Sequence, residues 1–468
     1  MTSTTMAGAP HATAPIERRA WLSLALVSAA TCVIILDLMA ANVAFPFIER
    51  SFPSTPRTTL AWVSSGYAIA SAALLMVAGR MSDRHGRRTV FLAGVALFSV
   101  VSLASAAAPN PAVLIAARIV QGGGSAMITS TAVALLLPDF PATKRGLALG
   151  IWGTTSSAGA AAGPTLGAVA IEALDWRLVF LLNIPIGLVT LLLGRRLLRE
   201  PARPEHAGGI DLVGTVLGTA ATALLTLGIL QGPGWGWASP AVAGALAASV
   251  VLAGLFIVRC ARAAAPLVDL RLFRHGPFAL ANLSQAGTQL AIMAWFFTTP
   301  LFLINVWHYS ALAGGGAVAI GMVVSFVSVP VGQYSDRHGY RTVLFVGGLV
   351  AAAGMVVWVV GVGAEANFWT AYLAGLVLFG LGAGMVGIVV TNAALAGLPD
   401  GELAAANAVF QTIRKLVGAI GVAIAVALLG SRSTDSVDAF RKVWIMIAVG
   451  YLLSSLAIIP YRQVTRRR

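Results

Sequence analysis

The stretch Gly79-Arg80-Met81-Ser82-Asp83-Arg84-His85-Gly86-Arg87-Arg88 puts five charges into ten residues, between two long apolar runs. A second copy follows downstream: Gly332-Gln333-Tyr334-Ser335-Asp336-Arg337-His338-Gly339-Tyr340-Arg341. Both read G-x-x-S-D-R-H-G-x-R, and both join the end of one apolar run to the start of the next. A repeated basic hairpin between hydrophobic spans predicts a duplicated membrane protein with these loops on the cytoplasmic side.

Composition agrees. Of 468 residues, 58% are hydrophobic and 10% charged, and the mean hydropathy is +0.86. Soluble domains carry roughly 25% charged residues. The net charge of +14 resides in short arginine clusters between apolar runs, a topogenic pattern and not a nucleic-acid-binding face. No nucleic-acid partner is expected. The two cysteines, Cys32 and Cys260, suggest neither a disulfide framework nor a metal site. No P-loop, zinc spacing or nucleophile elbow is present, so neither an enzyme nor a cofactor is expected.

About 20 apolar residues cross a bilayer as a helix. That rule predicts fourteen spans: 21–47, 58–79, 89–108, 111–137, 146–171, 177–198, 210–231, 239–258, 277–307, 310–333, 341–363, 368–398, 403–430 and 439–461. Basic clusters at Arg18-Arg19, 80–88, Lys144-Arg145, 195–203, 259–274, 337–341 and 462–468 fall on one side. The Gly232-to-Trp237 turn and Trp307 fall on the other, where tryptophans form an interfacial belt. Two loops dissent: 399–402 holds only acids, and 431–442 holds Arg432, Arg441 and Lys442. Both termini are expected to be cytoplasmic, in a multi-pass plasma-membrane protein. Asp83 and Asp336 stand 253 positions apart, whereas six spans with loops take roughly 190 residues. The excess fits an inserted helix pair. The expected domains are a tail 1–20, a six-helix bundle 21–200, the inserted pair 201–262, a second bundle 263–462 and a basic tail 463–468.

Several stretches together resemble one family. They are the 79–88 loop, Leu114 to Ala126 with Arg118 and Gln121, the Gly159-to-Gly167 run, and Leu36-Asp37 through Pro46. Weaker echoes are Trp176 through Pro185, Pro266 to Phe273, and Asn407 to Gly418. From about residue 20 to 460 the chain resembles the fourteen-helix drug/proton antiporters of the major facilitator superfamily, the EmrB/QacA-type group. The resemblance implies an all-α membrane protein with the major facilitator fold, two six-helix bundles plus an inserted pair. It implies a proton-coupled exporter of amphipathic drug-like or antibiotic compounds. Its partners would be a small-molecule substrate, protons and the lipid bilayer, with the chain a monomer. A proton-coupled importer of the same fold and a non-transporting sensor are the alternatives.

The residues supply their own arguments. Asp37 lies inside an apolar span, where an acid is expensive and usually functional. A buried carboxyl is pulled between desolvation, which favours the protonated form, and a nearby cation, which favours the carboxylate. Arg118 lies at matched depth in its own span and is the candidate cation. In the hairpins, Gly79 and Gly86 permit a tight reversal. Asp83 is placed to pair with an arginine or face a helix N-terminus. Asp83, Arg84, Arg87 and Arg88, with Asp336, Arg337 and Arg341, are therefore expected to latch a gate. Gly159, Gly163 and Gly167 recur every fourth residue, allowing close helix approach, and Pro164 adds a kink site. Asn42, Gln121, Gln289, Asn392 and Gln411 are candidates for lining a substrate cavity. Met39 follows the acid where a threonine is usual in the family, predicting a smoother wall there. With a single deep acid, the expected substrate is neutral or singly charged.

Overall fold

A computed structural model describes residues 17–141, 144–201, 211–263, 266–326, 339–396, 403–430 and 436–461, with residues 331, 334, 335 and 398. The described residues are helical throughout apart from connections. Backbone polar groups find no water in hydrocarbon, so each apolar run pairs them internally as a helix. In chain order the long helices are α1 Arg18–Ser51, α2 Trp62–His85, α3 Arg87–Ala106, α4 Pro111–Leu136, α5 Arg145–Ala173, α6 Asn183–Leu197 and α7 Leu212–Trp235. They continue as α8 Pro240–Arg262, α9 Gly276–Asn305, α10 Ala311–Phe326, α11 Tyr340–Gly361, α12 Leu373–Leu395, α13 Leu403–Leu429 and α14 Val437–Ala457. Proline opens α4 and α8, after Asn110 and Ser239, whose side chains accept from the Val113 and Val242 amides.

Twelve helices among the described residues are long and apolar enough to cross a membrane. The expected count of fourteen is therefore reached only to twelve. The two predicted spans outside it are 146–171, on the 29-residue α5, and 310–333, on α10, which has 16 residues.

Packing repeats along the chain. In the first half α1 packs on α5 and α6, α2 on α4, and α3 on α4 and α6. In the second half α9 packs on α13 and α14, α10 on α12, and α11 on α12 and α14. The halves meet along α1 with α9, α2 with α13, and α5 with α10. Of the inserted helices, α8 packs mainly on α7, and α7 lies against α2 and α13, one from each half.

Each hairpin motif carries its second glycine at positive φ, and in the first that residue alone parts two helices. Gly86 (φ +99°) separates α2 from α3, and Gly339 (φ +106°) precedes α11. In each, the glycine amide bonds the carbonyl of the motif serine: Gly86 to Ser82 at 2.9 Å, Gly339 to Ser335 at 2.8 Å. Positive φ is costly for any residue with a Cβ, which explains the glycine.

Several contacts between the halves lie on the face away from the basic hairpins. Phe45 and Phe297 stack edge-on with centroids 4.5 Å apart. The Leu312 amide at the start of α10 donates to Glu172 at the end of α5, at 2.8 Å. Gly315 lies against the Pro164 carbonyl, leaving no room for a side chain. Within the second half, α13 is packed unevenly along its length. Gly418 and Gly421 press on α9 at Met293 and Leu290, whereas Asn407 and Arg414, nearer the basic side, are exposed. Beside the α5–α10 contact, a crevice of about 750 Å³ is lined by Thr165, Leu312, Gly316, Ile320, Val323 and Trp369.

The tryptophan belt needs one correction. Trp235 and Trp237 are exposed as expected, but Trp307 is buried. Its indole donates to the Gly363 carbonyl at 3.0 Å and packs on Phe302 and Tyr372. A tryptophan near a helix end marks an interface only if it also faces outward.

Candidate functional site

Asp37 and Arg118 meet in the middle of the first half, both side chains fully buried. Arg118 Nη1 donates to Asp37 Oδ2 at 2.6 Å and to Gln121 Oε1 at 2.6 Å. Its Nε donates to the Val63 carbonyl at 3.2 Å. The Tyr67 ring lies over the guanidinium, 4.4 Å from centroid, with Phe180 at 5.4 Å. The other carboxylate oxygen, Oδ1, accepts from Asn183 Nδ2 at 2.6 Å and Gln121 Nε2 at 3.4 Å. Ser102 Oγ accepts from both amides, at 2.8 and 3.1 Å. Five helices, α1, α2, α3, α4 and α6, thus contribute to one buried polar cluster. Such a cluster can hold a charge pair in an apolar interior, and it changes sharply when the carboxylate gains a proton.

Asn183 is the residue that sequence reasoning missed. It opens α6 after a break at Leu182. Pro185 lacks the amide that would bond the Leu181 carbonyl, which loosens the turn at this point. An amide two residues before a proline within an apolar span was the available signal.

The glycine face of α5 packs on α1 beside the acid. A Cβ at Gly159 would stand 2.7 Å from Cys32 Sγ, at Gly163 2.7 Å from Met39 Cβ, and at Gly167 2.7 Å from Ala40 Cβ. Met39 is accordingly buried against Gly163 instead of forming an open wall. The adjoining side of the same helix, at Pro164 and Ala168, faces Gly315 in the other half. Helix α5 therefore lies between the buried carboxylate and the seam.

In the first hairpin Asp83 pairs with Arg87 of its own loop, at 3.3 Å. The N-terminus of α3 is met instead by Glu200, which accepts from the Arg87 and Arg88 amides. A Cβ at Gly86 would stand 2.7 Å from that carboxylate. Arg88 bonds the Arg195 carbonyl, Gly79 faces Ser130, and Arg84 is exposed. Asp336 and Arg337 lie outside the described residues; Arg341 is exposed at the start of α11.

Of the cavity candidates, Asn42 is buried and accepts from Ser64 at 3.4 Å. Gln121 belongs to the carboxylate cluster, and Gln289 accepts from Gln285 at 3.2 Å and Arg414 at 3.1 Å. Gln411 is half-buried and Asn392 exposed. A further polar link escaped the sequence reading: Lys415 Nζ on α13 donates to Ser71 Oγ on α2 at 2.6 Å, joining the halves.

Two carboxylates outside the spans are shifted. The Leu312 amide and the Ser310 hydroxyl hold Glu172 below the usual carboxylate range. Burial pushes Asp211 up, but the Gly214 amide and Arg259 outweigh it and leave the group below its ordinary value. No cluster of His, Cys, Asp and Glu suited to a metal occurs among the described residues.

The sequence profile described as Major Facilitator Superfamily matches residues 27–422. The cephamycin export protein CmcT of Amycolatopsis lactamdurans is 36% identical over 432 residues, 88% of this chain and 86% of that protein. The multidrug resistance protein Stp of Mycobacterium tuberculosis is 32% identical over 418 residues, 89% of this chain and 76% of that protein. Among solved structures, the in meso crystal structure of the POT family transporter PepTSo superposes with a TM-score of 0.69 at 15% identity. It covers 93% of this chain and 97% of that one, a likeness of fold alone.

Proposed function

The chain belongs to the Major Facilitator Superfamily, and on that premise we propose that it is a proton-coupled exporter of amphipathic small molecules. The export reading is supported by relatives named for cephamycin export and multidrug resistance. The observation that carries the proton coupling is the buried Asp37–Arg118 pair with its Asn183 and Gln121 donors.

Asp37 as a carboxylate holds Arg118, Asn183 and Gln121 in one arrangement. A proton on Asp37 cancels the charge that organises them and leaves Arg118 to find other acceptors. Since α1 carries Asp37 and α5 slides along α1 on Gly159, Gly163 and Gly167, the protonation state is felt at the seam through Pro164. The hairpins at 79–88 and 332–341 latch the cytoplasmic gate, with Asp83, Arg84, Arg87, Arg88, Asp336, Arg337 and Arg341 exchanging partners as it opens. In the present arrangement Asp83 pairs within its own loop, as in the released state of such a latch.

In this reading α5 and α10 also cross the bilayer, making fourteen spans. Residues 21–200 and 263–462 form the two bundles, 201–262 the inserted pair, and 1–20 and 463–468 tails on the cytoplasmic side. The chain acts as a monomer. The test is uptake of ethidium into inverted vesicles under an imposed pH gradient. Gradient-driven uptake by the wild type and its loss in Asp37→Asn are expected. Equal uptake by both proteins would end the proton-coupling reading.

A further inference from the structure

Arg414 and Lys415 stand side by side at the middle of α13, eleven and twelve residues after Leu403. At 1.5 Å per residue that is roughly 17 Å from the helix end, and both lie within the apolar span Val409–Leu429. Charged groups at such depth are costly and are normally paired. These two are not paired with an acid among the described residues. Lys415 donates to Ser71 Oγ at 2.6 Å, and that hydroxyl bonds Ser125 Oγ at 2.7 Å. Arg414 donates through Nε to Gln289 Oε1 at 3.1 Å, an oxygen shared with Gln285 Nε2 at 3.2 Å. All of these acceptors are neutral. Asp37 is the one acid at mid-helix depth among the described residues, and it already binds Arg118. Nearby, Gln285 Oε1 is buried without a partner.

The two cations also face different neighbours. Arg414 reaches α9 of its own half, and Lys415 reaches α2 of the other half. Lys415 therefore looks into the seam, and Arg414, on the adjoining flank of α13, is exposed beside it. A guanidinium fork beside an ammonium is suited to a carboxylate, which accepts two parallel bonds from the fork and one from the ammonium.

We propose that Arg414 and Lys415 form an anion site in the seam, and that the exported substrate is an organic anion, an amphipath bearing a carboxylate. This rests on the exporter reading and gives it a sign of charge. The bound carboxylate takes over Lys415 from Ser71 and so loosens a contact between the halves when cargo arrives. Ser71 lies one helical turn from Tyr67, the ring over Arg118, which brings cargo binding next to the proton site.

The test uses three probes of one skeleton type: dansyl-leucine (anion), dansyl-leucinamide (neutral) and dansylcadaverine (cation). Ethidium serves as the general export probe, in inverted vesicles under an imposed pH gradient. Dansyl-leucine is expected to accumulate about tenfold above the other two, a difference worth about 1.4 kcal/mol. Lys415→Gln and Arg414→Gln are each expected to remove that preference, while Lys415→Arg keeps it. Independently of any variant, purified wild type is expected to bind dansyl-leucine saturably and dansyl-leucinamide about tenfold more weakly. Equal binding, or a preference unchanged in Lys415→Gln, overturns the anion site. Asp37-dependent ethidium export without dansyl-leucine export overturns it as well, yet leaves the exporter reading standing. Failure of all four probes to move takes down the exporter reading, and the anion site with it.

Discussion

Arg118 Nη1 lies 2.6 Å from Asp37 Oδ2, and neither side chain is exposed. Removing one partner of a buried pair leaves an uncompensated charge and costs about 3–5 kcal/mol, whereas removing both is far milder. Asp37→Asn is therefore expected to lower thermal stability strongly, and Asp37→Asn with Arg118→Gln to recover most of the loss. Transport should stay abolished in both. Recovered transport in the double variant would mark the pair as structural only. Thermal unfolding in detergent, alongside vesicle uptake, separates the two outcomes.

Asn183 donates to the same carboxylate at 2.6 Å. A hydrogen bond to a charged group contributes about 1.5–3 kcal/mol. Asn183→Ala should destabilise the protein by about that amount and alter the pH profile of transport. Asn183→Leu at an unchanged pH profile would show that the amide merely fills space.

Gly163 abuts Met39: a Cβ at this position would stand 2.7 Å from Met39 Cβ. Overpacking of this kind costs about 1–3 kcal/mol. Gly163→Ala should wedge α5 from α1 and reduce transport, and Met39→Gly should restore part of it. The measurement is initial uptake rate for the two single variants and the double variant.

Gly86→Ala meets two obstacles, a φ of +99° and the Glu200 carboxylate at 2.7 Å. Backbone strain of this type costs about 1–3 kcal/mol. Gly339→Ala, at φ +106°, should incur backbone strain of the same kind. Accordingly Glu200→Ala is expected to relieve Gly86→Ala in part and to leave Gly339→Ala unaffected, as read by expression level and unfolding temperature.

Glu172 joins the halves on the face away from the basic loops. Its carboxyl is held below the ordinary range by the Leu312 amide and the Ser310 hydroxyl. A depressed group stabilises the contact it makes above its free value, and that contribution is lost as pH falls through the depressed one. Acidification below the normal carboxylate range should therefore loosen this contact, and neutral pH should keep it. Spin labels at Leu174 and Ala313 should report a longer distance in acid. In Glu172→Gln that distance should not respond to pH.

Some of this was legible in the sequence. An α-helix advances 1.5 Å per residue, so counting from span ends gave Asp37 and Arg118 the matched depth at which they meet. The four-residue glycine period fixed a close-packing face on α5, and the duplicated hairpin anticipated two glycines, Gly86 and Gly339, of like backbone. What counting does not give is azimuth around a helix and contacts between distant segments. Trp307 sits at the expected depth but turns inward. Of its two expected partners Asp83 takes the arginine, Arg87, while Glu200, more than a hundred residues later, occupies the helix N-terminus. Asn183 and Lys415 carry no spacing signal, because their partners are on other helices.

Helix α7 lies against both α2 and α13, so one flank of the boundary between the halves is roofed by protein. The other flank, where α5 meets α10, has no such cover among the described residues and carries the crevice lined by Thr165, Ile320 and Val323. A molecule dissolved in the bilayer thus meets a one-sided vestibule. The inserted pair makes the two flanks of that boundary unequal, one covered and one bare.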